Sequence, residues 1–304
     1  MENFGMNSSW ASTEIGQDYW IAVGGQLGEI RGYKNAGRYE VDDFVGYNET
    51  TKTWTLKDGV VDDSNIIGTV RPGSMKIEST TQHWDSAQNA WVWNENNQTQ
   101  LDGKTADGKI SDSDNTLIGN VNPKFSGGFG LSAHAYGFDF SANFNFAVGN
   151  KVYNANKIEY TSTSKYQYRN MITEMADGVR WTNLNEDGTL CNDPEQLKAL
   201  NANTTMWSPY MSKFVLTDWA VEDASFLRLN TLTLGYTLPK VIISKAHINS
   251  LRFYVTCYNV FTITGYTGYD PESDCIRKNA LTPNVDYSGY PRSRQFVFGL
   301  NLNF

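Results

Sequence analysis

The sequence predicts an all-β fold whose strands belong to a large antiparallel transmembrane β-barrel, with long extracellular loops that contain small hairpins and short helices. Three observations carry this. Apolar and polar residues alternate along several segments, each close to the roughly 9–11 residues that a tilted strand needs to cross a bilayer. The connections between those segments are alternately short and long, as periplasmic turns and extracellular loops are. The composition is rich in aromatics (13%), low in charge (19%) and has a mean hydropathy of −0.48. A barrel with a polar lumen keeps its mean hydropathy low in this way.

The elements follow in order. Met1-Glu2-Asn3-Phe4 has neither the basic nor the apolar region of a signal peptide. Either the protein is cytoplasmic or the chain begins within a longer protein, and the C-terminal segment is expected to decide between them. Residues 42–123 hold 13 acidic and 6 basic residues, a net −7 of the chain's −8. They are expected to form an acidic extracellular extension. Within it, Tyr47–Trp54 and His83–Trp93 read as hairpins, polar turns between aromatic flanks. The barrel portion is expected over 125–304. Phe125–Ala135 and Phe138–Gly149 alternate cleanly and are separated by Tyr136-Gly137. In the second of these, Phe138, Phe140, Ala142, Phe144, Phe146 and Val148 form one face.

Helical character is expected over 151–180, where Met171, Met175 and Val179 recur every fourth residue. A short helix is expected over Pro194–Asn201 with Asp193 as its cap. Phe226–Leu238 alternates but shifts phase near Asn230, the mark of a bulge or of a strand protected on both faces. Leu251–Ile263 resumes the alternation. The last strand places Phe296, Phe298, Leu300, Leu302 and Phe304 on one face and runs to the final residue. Chain ends ordinarily fray, so a strand ending on an aromatic resembles the signal that the outer-membrane assembly machinery reads. A secreted β-sandwich, acting as a glycan-binding or adhesin-type module, is the alternative for the same alternation.

Several functions are disfavoured. A net charge of −8 argues against nucleic-acid binding. The cysteines Cys191, Cys257 and Cys275 show no metal or disulfide spacing, and neither do His83, His134 and His247. Asp187, Asp193 and Glu195, and Glu222 with Asp223, lack the context of a catalytic carboxylate pair. No nucleophile-elbow, zincin or phosphate-loop motif occurs. An enzyme is not expected.

Longer stretches carry a family resemblance. They include Ile30-Arg31-Gly32-Tyr33, Asp107-Gly108-Lys109-Ile110, Ile118–Gly128, Asn145–Asn154, Val221–Tyr236, Tyr258–Thr262, Gly268-Tyr269-Asp270-Pro271-Glu272 and Tyr290-Pro291-Arg292. In this order they resemble the C-terminal part of the SusC/RagA-type TonB-dependent outer-membrane transporters of Bacteroidota. The resemblance implies that residues 1–304 are the C-terminal portion of such a barrel, without the plug domain and signal peptide. It implies a glycan or oligopeptide substrate, a SusD-like surface lipoprotein as partner, TonB acting through the missing plug, and contact with outer-membrane lipid. No cofactor is implied.

Three sets of residues are candidates for sites. Asp107, Asp112 and Asp114 lie in an acidic loop that resembles a calcium loop when Gly108 takes its turn position. The two opening ligand positions then fall on Gly103 and Thr105, so calcium binding is expected to be weak at most; a plain acidic turn accounts for the same residues. Trp84, Trp91 and Trp93 offer stacking surfaces for sugar rings, or the small core of a hairpin. Tyr266 and Tyr269, in the last long loop, face either a ligand or the membrane interface.

Overall fold

The computed structural model describes residues 8–12, 16–21, 25–95, 104–163, 168–210, 213, 215–275 and 281–304. The chain divides into two compact units. One comprises Met1–Gly119, Tyr153–Val221 and Asn279–Thr282; the other comprises Asn120–Val152, Glu222–Lys278 and Pro283–Phe304.

The second unit is built on a five-stranded antiparallel sheet. Its strands, adjacent in chain order, are Phe125–Ala135, Phe138–Val148, Phe226–Thr237, Ser250–Thr264 and Gln295–Asn303. The first two are joined by Tyr136 and Gly137, both at positive φ (53° and 87°). That geometry belongs to the two-residue hairpin turn whose twist matches its strands. A Cβ at Gly137 would also press on the Thr237 carbonyl. The register is continuous from Phe125↔Val148 to Ala135↔Phe138. It breaks once in the third strand, between Leu229 and Thr231, where Asn230 is left out of the pairing. This bulge explains the phase shift of the sequence. Opposite it, Asn259 in the fourth strand has φ 51°.

The pairing assigns every side chain to a face. On one lie Phe129, Phe144, Leu229 and Phe261, then Phe140, Leu234, Val255 and Phe298. On the other lie Asn145, Arg228 and Thr262, then Asp139, Gly235, Tyr254 and Gly299. The first face is apolar and open: Phe138 is 62% exposed, Ile263 62%, Phe296 61% and Phe298 80%. Soluble monomers seldom leave so large a contiguous apolar surface uncovered. Aromatic pairs knit it together, Phe129 stacking on Phe144 at 4.7 Å.

The first unit holds a four-stranded sheet of Ser8–Ser12, Gly16–Ile21, Glu29–Gly32 and Thr116–Asn120. It also holds both expected hairpins, Phe44–Asn48 with Thr53–Leu56 and Gln82–Asp85 with Ala90–Trp93. The acidic stretch 42–123 is not a separate body. Its Phe44, Ile67, Met75, Ile77 and Ile110 share one core with Met175, Trp207 and Val215. The helix expected over 151–180 is not formed among the described residues. Lys151–Asn154 is a strand, Ala155–Glu159 a short helix and Thr173–Met175 a single turn; residues 164–167 lie outside the described ones. Met175 is buried and Met171 packs beside the same core, so their spacing records core contact by an irregular chain. Pro194–Asn201 is helical as expected, and the Asp193 carboxylate accepts from the Gln196 amide at 2.8 Å.

Asp63 sits in this core without exposure, its Oδ2 accepting from the Ile77 amide at 2.9 Å. Burial pushes its carboxyl up to about 7. The folded state therefore keeps a proton that the unfolded chain releases near pH 4. Stability contributed by this group should be full below about pH 4, fall as pH rises toward 7 and level off above, a loss on the order of 4 kcal/mol. Thermal melting followed by Trp fluorescence should show that slope, and Asp63→Asn should flatten it. An unchanged slope in the variant would assign the pH dependence to other groups.

Candidate functional site

The polar face of the large sheet gathers the charged side chains of the second unit. Near the Thr237 end of the third strand, Asp139 and Arg252 come from strands on either side of it. The Arg252 Nε and Nη2 donate to the two Asp139 oxygens at 2.8 and 2.5 Å. The pair meets across Gly235, where any Cβ would collide with both partners. The Tyr254 ring lies over Gly299 in the same manner. Thr233 and Thr256 share a hydrogen bond of 2.9 Å in the next layer.

At the other end of the strand, Arg228 projects from the polar face and is buried. Its Nη2 donates to Asp270 Oδ1 at 2.6 Å and its Nη1 lies 2.9 Å from Glu272 Oε2. Arg292 completes the cluster, with Nε 2.7 Å from Asp270 Oδ2 and Nη1 3.4 Å from Glu272. Two guanidinium groups and two carboxylates thus balance in charge. A buried charge is tolerable only when paired; Arg228 is paired with both carboxylates, though only Nη2 makes a hydrogen bond of good geometry among the described residues. The cluster fastens the connection between the fourth and fifth strands to the sheet. Other stitches are Tyr266 Oη to Asp286 at 2.6 Å, Asn259 Nδ2 to the Ser293 carbonyl at 2.9 Å, and Asn284 Nδ2 to the Val121 carbonyl at 3.1 Å.

Beside Glu272 is a cavity of about 470 Å³ lined by Ser126, Asn145, Asn150, Phe226, Pro271 and Asn284, among others. Asn145 Oδ1 and Asn150 Oδ1 are buried with no hydrogen-bond partner among the described residues. The hollow is lined by the polar residues Ser126, Asn145, Asn150 and Asn284 and by the apolar Phe226 and Pro271. A mixed lining of this kind suits a ligand with both polar and apolar groups.

The residues singled out from sequence fall differently. Tyr266 is 6% exposed and packed with Val152 and Ala224, so its ring is held inside the protein. Burial, reinforced by the bond to Asp286, raises its phenol. Tyr269 is 74% exposed and stands apart from it. Trp84 and Trp91 pack edge to face at 5.8 Å, and Trp91 also joins the core of the first unit. Trp84 covers Gly59 and Trp91 covers Gly108, both glycines at positive φ where a Cβ would crowd the indole. The Trp93 indole donates to the Lys104 carbonyl at 3.1 Å. These three rings serve the hairpin's own packing, and each stays partly exposed.

The acidic loop is used internally as well. Asp114 has no exposure; its Oδ1 accepts from Ser79 Oγ, the Thr80 and Thr81 amides and Thr81 Oγ1 at 2.8–3.1 Å, and its Oδ2 accepts from the Ser111 amide at 3.0 Å. Asp107 accepts from the Lys109 amide, and Asp112 from the Tyr33 hydroxyl at 3.4 Å. Among the described residues no three acidic, His or Cys side chains converge as metal ligands, and Gly103 lies outside them. Protein donors already occupy Asp114.

Sequence reasoning overlooked Arg228. Its signal was present: a cation at the polar phase of an alternating strand. Phe296, Phe298, Leu300 and Leu302 share the apolar face through their pairing with Cys257, Val255, Phe253 and Leu251, and Phe304 follows the strand; all five are at least 42% exposed.

No protein-family model matches the chain. It is 30% identical over 208 residues to a TonB-dependent receptor of Formosa agariphila, a match spanning 67% of this chain and 18% of that protein. A second TonB-dependent receptor of that organism is 28% identical over 291 residues, 94% of this chain and 26% of the relative. The TonB-dependent receptor SusC of Bacteroides thetaiotaomicron is 29% identical over 144 residues, 47% of this chain and 13% of SusC. The chain thus spans about a quarter or less of the curated relatives it matches. Among solved structures it superposes on the RagAB peptide transporter with a TM-score of 0.62 at 22% identity, covering 99% of this chain and 25% of that one. The closed-closed state of the RagAB peptide importer gives a TM-score of 0.56 at 21% identity. These likenesses establish a shared fold.

Proposed function

We propose that this chain, a SusC/RagA-like segment of a TonB-dependent receptor, supplies part of the wall and outer mouth of an outer-membrane nutrient importer. The observation that carries the reading is the two-faced sheet: an open apolar face toward lipid, and a polar face bearing Arg228, Asp139 and Arg252 toward a lumen. Barrel closure would satisfy the backbone groups at its edges, which a bilayer cannot solvate. The apolar face also argues against a β-sandwich, which would bury it beneath a second sheet.

In this reading the substrate is an oligopeptide or a glycan. Either carries polar groups suited to a hollow lined by Ser126, Asn145, Asn150 and Asn284. A SusD-like surface lipoprotein would deliver it from outside, and TonB would act through a plug elsewhere in the receptor. The relatives support transport over catalysis, being receptors and a transporter by name.

Phe304 provides the test. It is 76% exposed at the end of the fifth strand, where the assembly machinery would read it. Deleting it from a full-length receptor carrying this chain should lower the amount in the outer membrane several-fold and raise periplasmic degradation. Inserting Ser before it should do nearly the same, since one residue of slip turns the ring to the polar face. Unchanged outer-membrane levels in both variants would contradict the reading.

A further inference from the structure

The connection between the third and fourth strands, residues 239–249, differs from the two-residue turn before it. It carries a short helix, Lys240–Ile243, and one further helical turn, Ser244–Ala246. Ile243 is buried, whereas Val241 and Ile242 are 83% and 61% exposed. Ile243 therefore holds the helix to the protein, and its two apolar neighbours face outward.

Scattered exposed apolar residues need no explanation, but this pair lies in the connection between two strands that carry the exposed apolar face. It follows the third strand, whose Leu234 is 49% exposed, and precedes the fourth, whose Phe253 is 46% exposed. Phe138 and Phe304 lie at the same end of the sheet. The charge pattern points the same way. Residues 237–251 contain Lys240, Lys245 and His247 and no Asp or Glu, in a chain of net charge −8. Lys240 and Lys245 are both exposed. Outward apolar side chains flanked by lysines suit the boundary between acyl chains and anionic headgroups.

We propose that residues 239–249 form an interfacial anchor on the periplasmic rim. Val241 and Ile242 enter the acyl boundary of the adjoining leaflet, and Lys240 and Lys245 meet the phosphates of anionic phospholipid. The inference rests on the reading of the sheet as a barrel wall, with the two-residue turn at Tyr136-Gly137, beside Thr237, marking its periplasmic end.

The test uses a full-length receptor in which this chain replaces the matching segment, in a cysteine-free background. Fluorophores are placed through Ile242→Cys and Phe253→Cys, and the protein is reconstituted in phosphatidylcholine nanodiscs with or without phosphatidylglycerol. The Ile242 label should be quenched at least two-fold more by nitroxide near the lipid headgroup than by aqueous iodide. Lys240→Glu with Lys245→Glu should reduce that quenching to the phosphatidylcholine level. A label reached only by iodide overturns the anchor, and so does one shielded from both quenchers, which means that protein covers it. If Phe253 is quenched by lipid and Ile242 is not, the anchor alone fails; if neither is, the barrel wall fails with it. Should Ile242→Cys not assemble, Ser244→Cys is read by the same criteria.

Discussion

Replacing Arg228 by Met should destabilise the large sheet and its outer connection by about 3–5 kcal/mol, the usual cost of removing one partner from a buried ion pair. The guanidinium is 3% exposed and serves Asp270 and Glu272 together. Met keeps much of its volume but leaves the buried Asp270 and the partly exposed Glu272 with one cation. Arg292 still reaches Asp270 at 2.7 Å, which places the effect toward the lower end. Arg228→Lys should fall between, because an ammonium cannot span both carboxylates as the planar fork does. Denaturant unfolding in a bilayer reports the total. Limited proteolysis of the 265–275 segment reports whether the loop has come free. A loss under about 1 kcal/mol, with no new cleavage, would mean that the cluster is incidental to holding the loop.

The second large effect concerns the apolar face. Phe144→Arg should cost roughly 2–4 kcal/mol if the residue lies near the bilayer midplane, because its charge would enter hydrocarbon. The substitution also removes the stack with Phe129. Asn143→Arg, one residue away and on the opposite face, should cost much less in the same assay. Folding free energies measured in lipid vesicles compare the two. Equal costs would remove the distinction between a lipid face and a lumen face.

Much of this architecture was legible because a strand with one apolar face writes its period directly into the sequence. Phe125–Ala135 was read to the residue, and Phe138–Val148, Phe226–Thr237 and Ser250–Thr264 to within one at either end. The disturbance at Asn230 was equally visible, since an unpaired residue shifts the phase of everything after it. The first unit was harder to read. Met171, Met175 and Val179 carry a helical period, yet the chain there is largely irregular and buries Met175 against Ile77 and Trp207. Four-residue spacing reports a buried side, and helix is only one way to make one.

The charged cluster was illegible for another reason. Asp270 and Arg292 lie 42 and 64 residues from Arg228, and only the register of the sheet brings them together. The acidic loop could not be resolved from spacing, which shows where carboxylates occur and not what already binds them. Asp114 is saturated by donors from Ser79, Thr80, Thr81 and Ser111. The commitment of the Tyr266 hydroxyl to Asp286 was equally invisible in spacing.

The central claim is that one sheet divides lipid from lumen, and the second strand tests it most directly. Spin labels placed singly from Phe138 to Phe146, in a full-length receptor reconstituted in lipid, should alternate. Labels at Phe138, Phe140, Phe144 and Phe146 should relax with oxygen dissolved in the bilayer, and those at Ser141, Asn143 and Asn145 with a water-soluble nickel chelate. Uniform accessibility along the strand, to either reagent, would contradict the account.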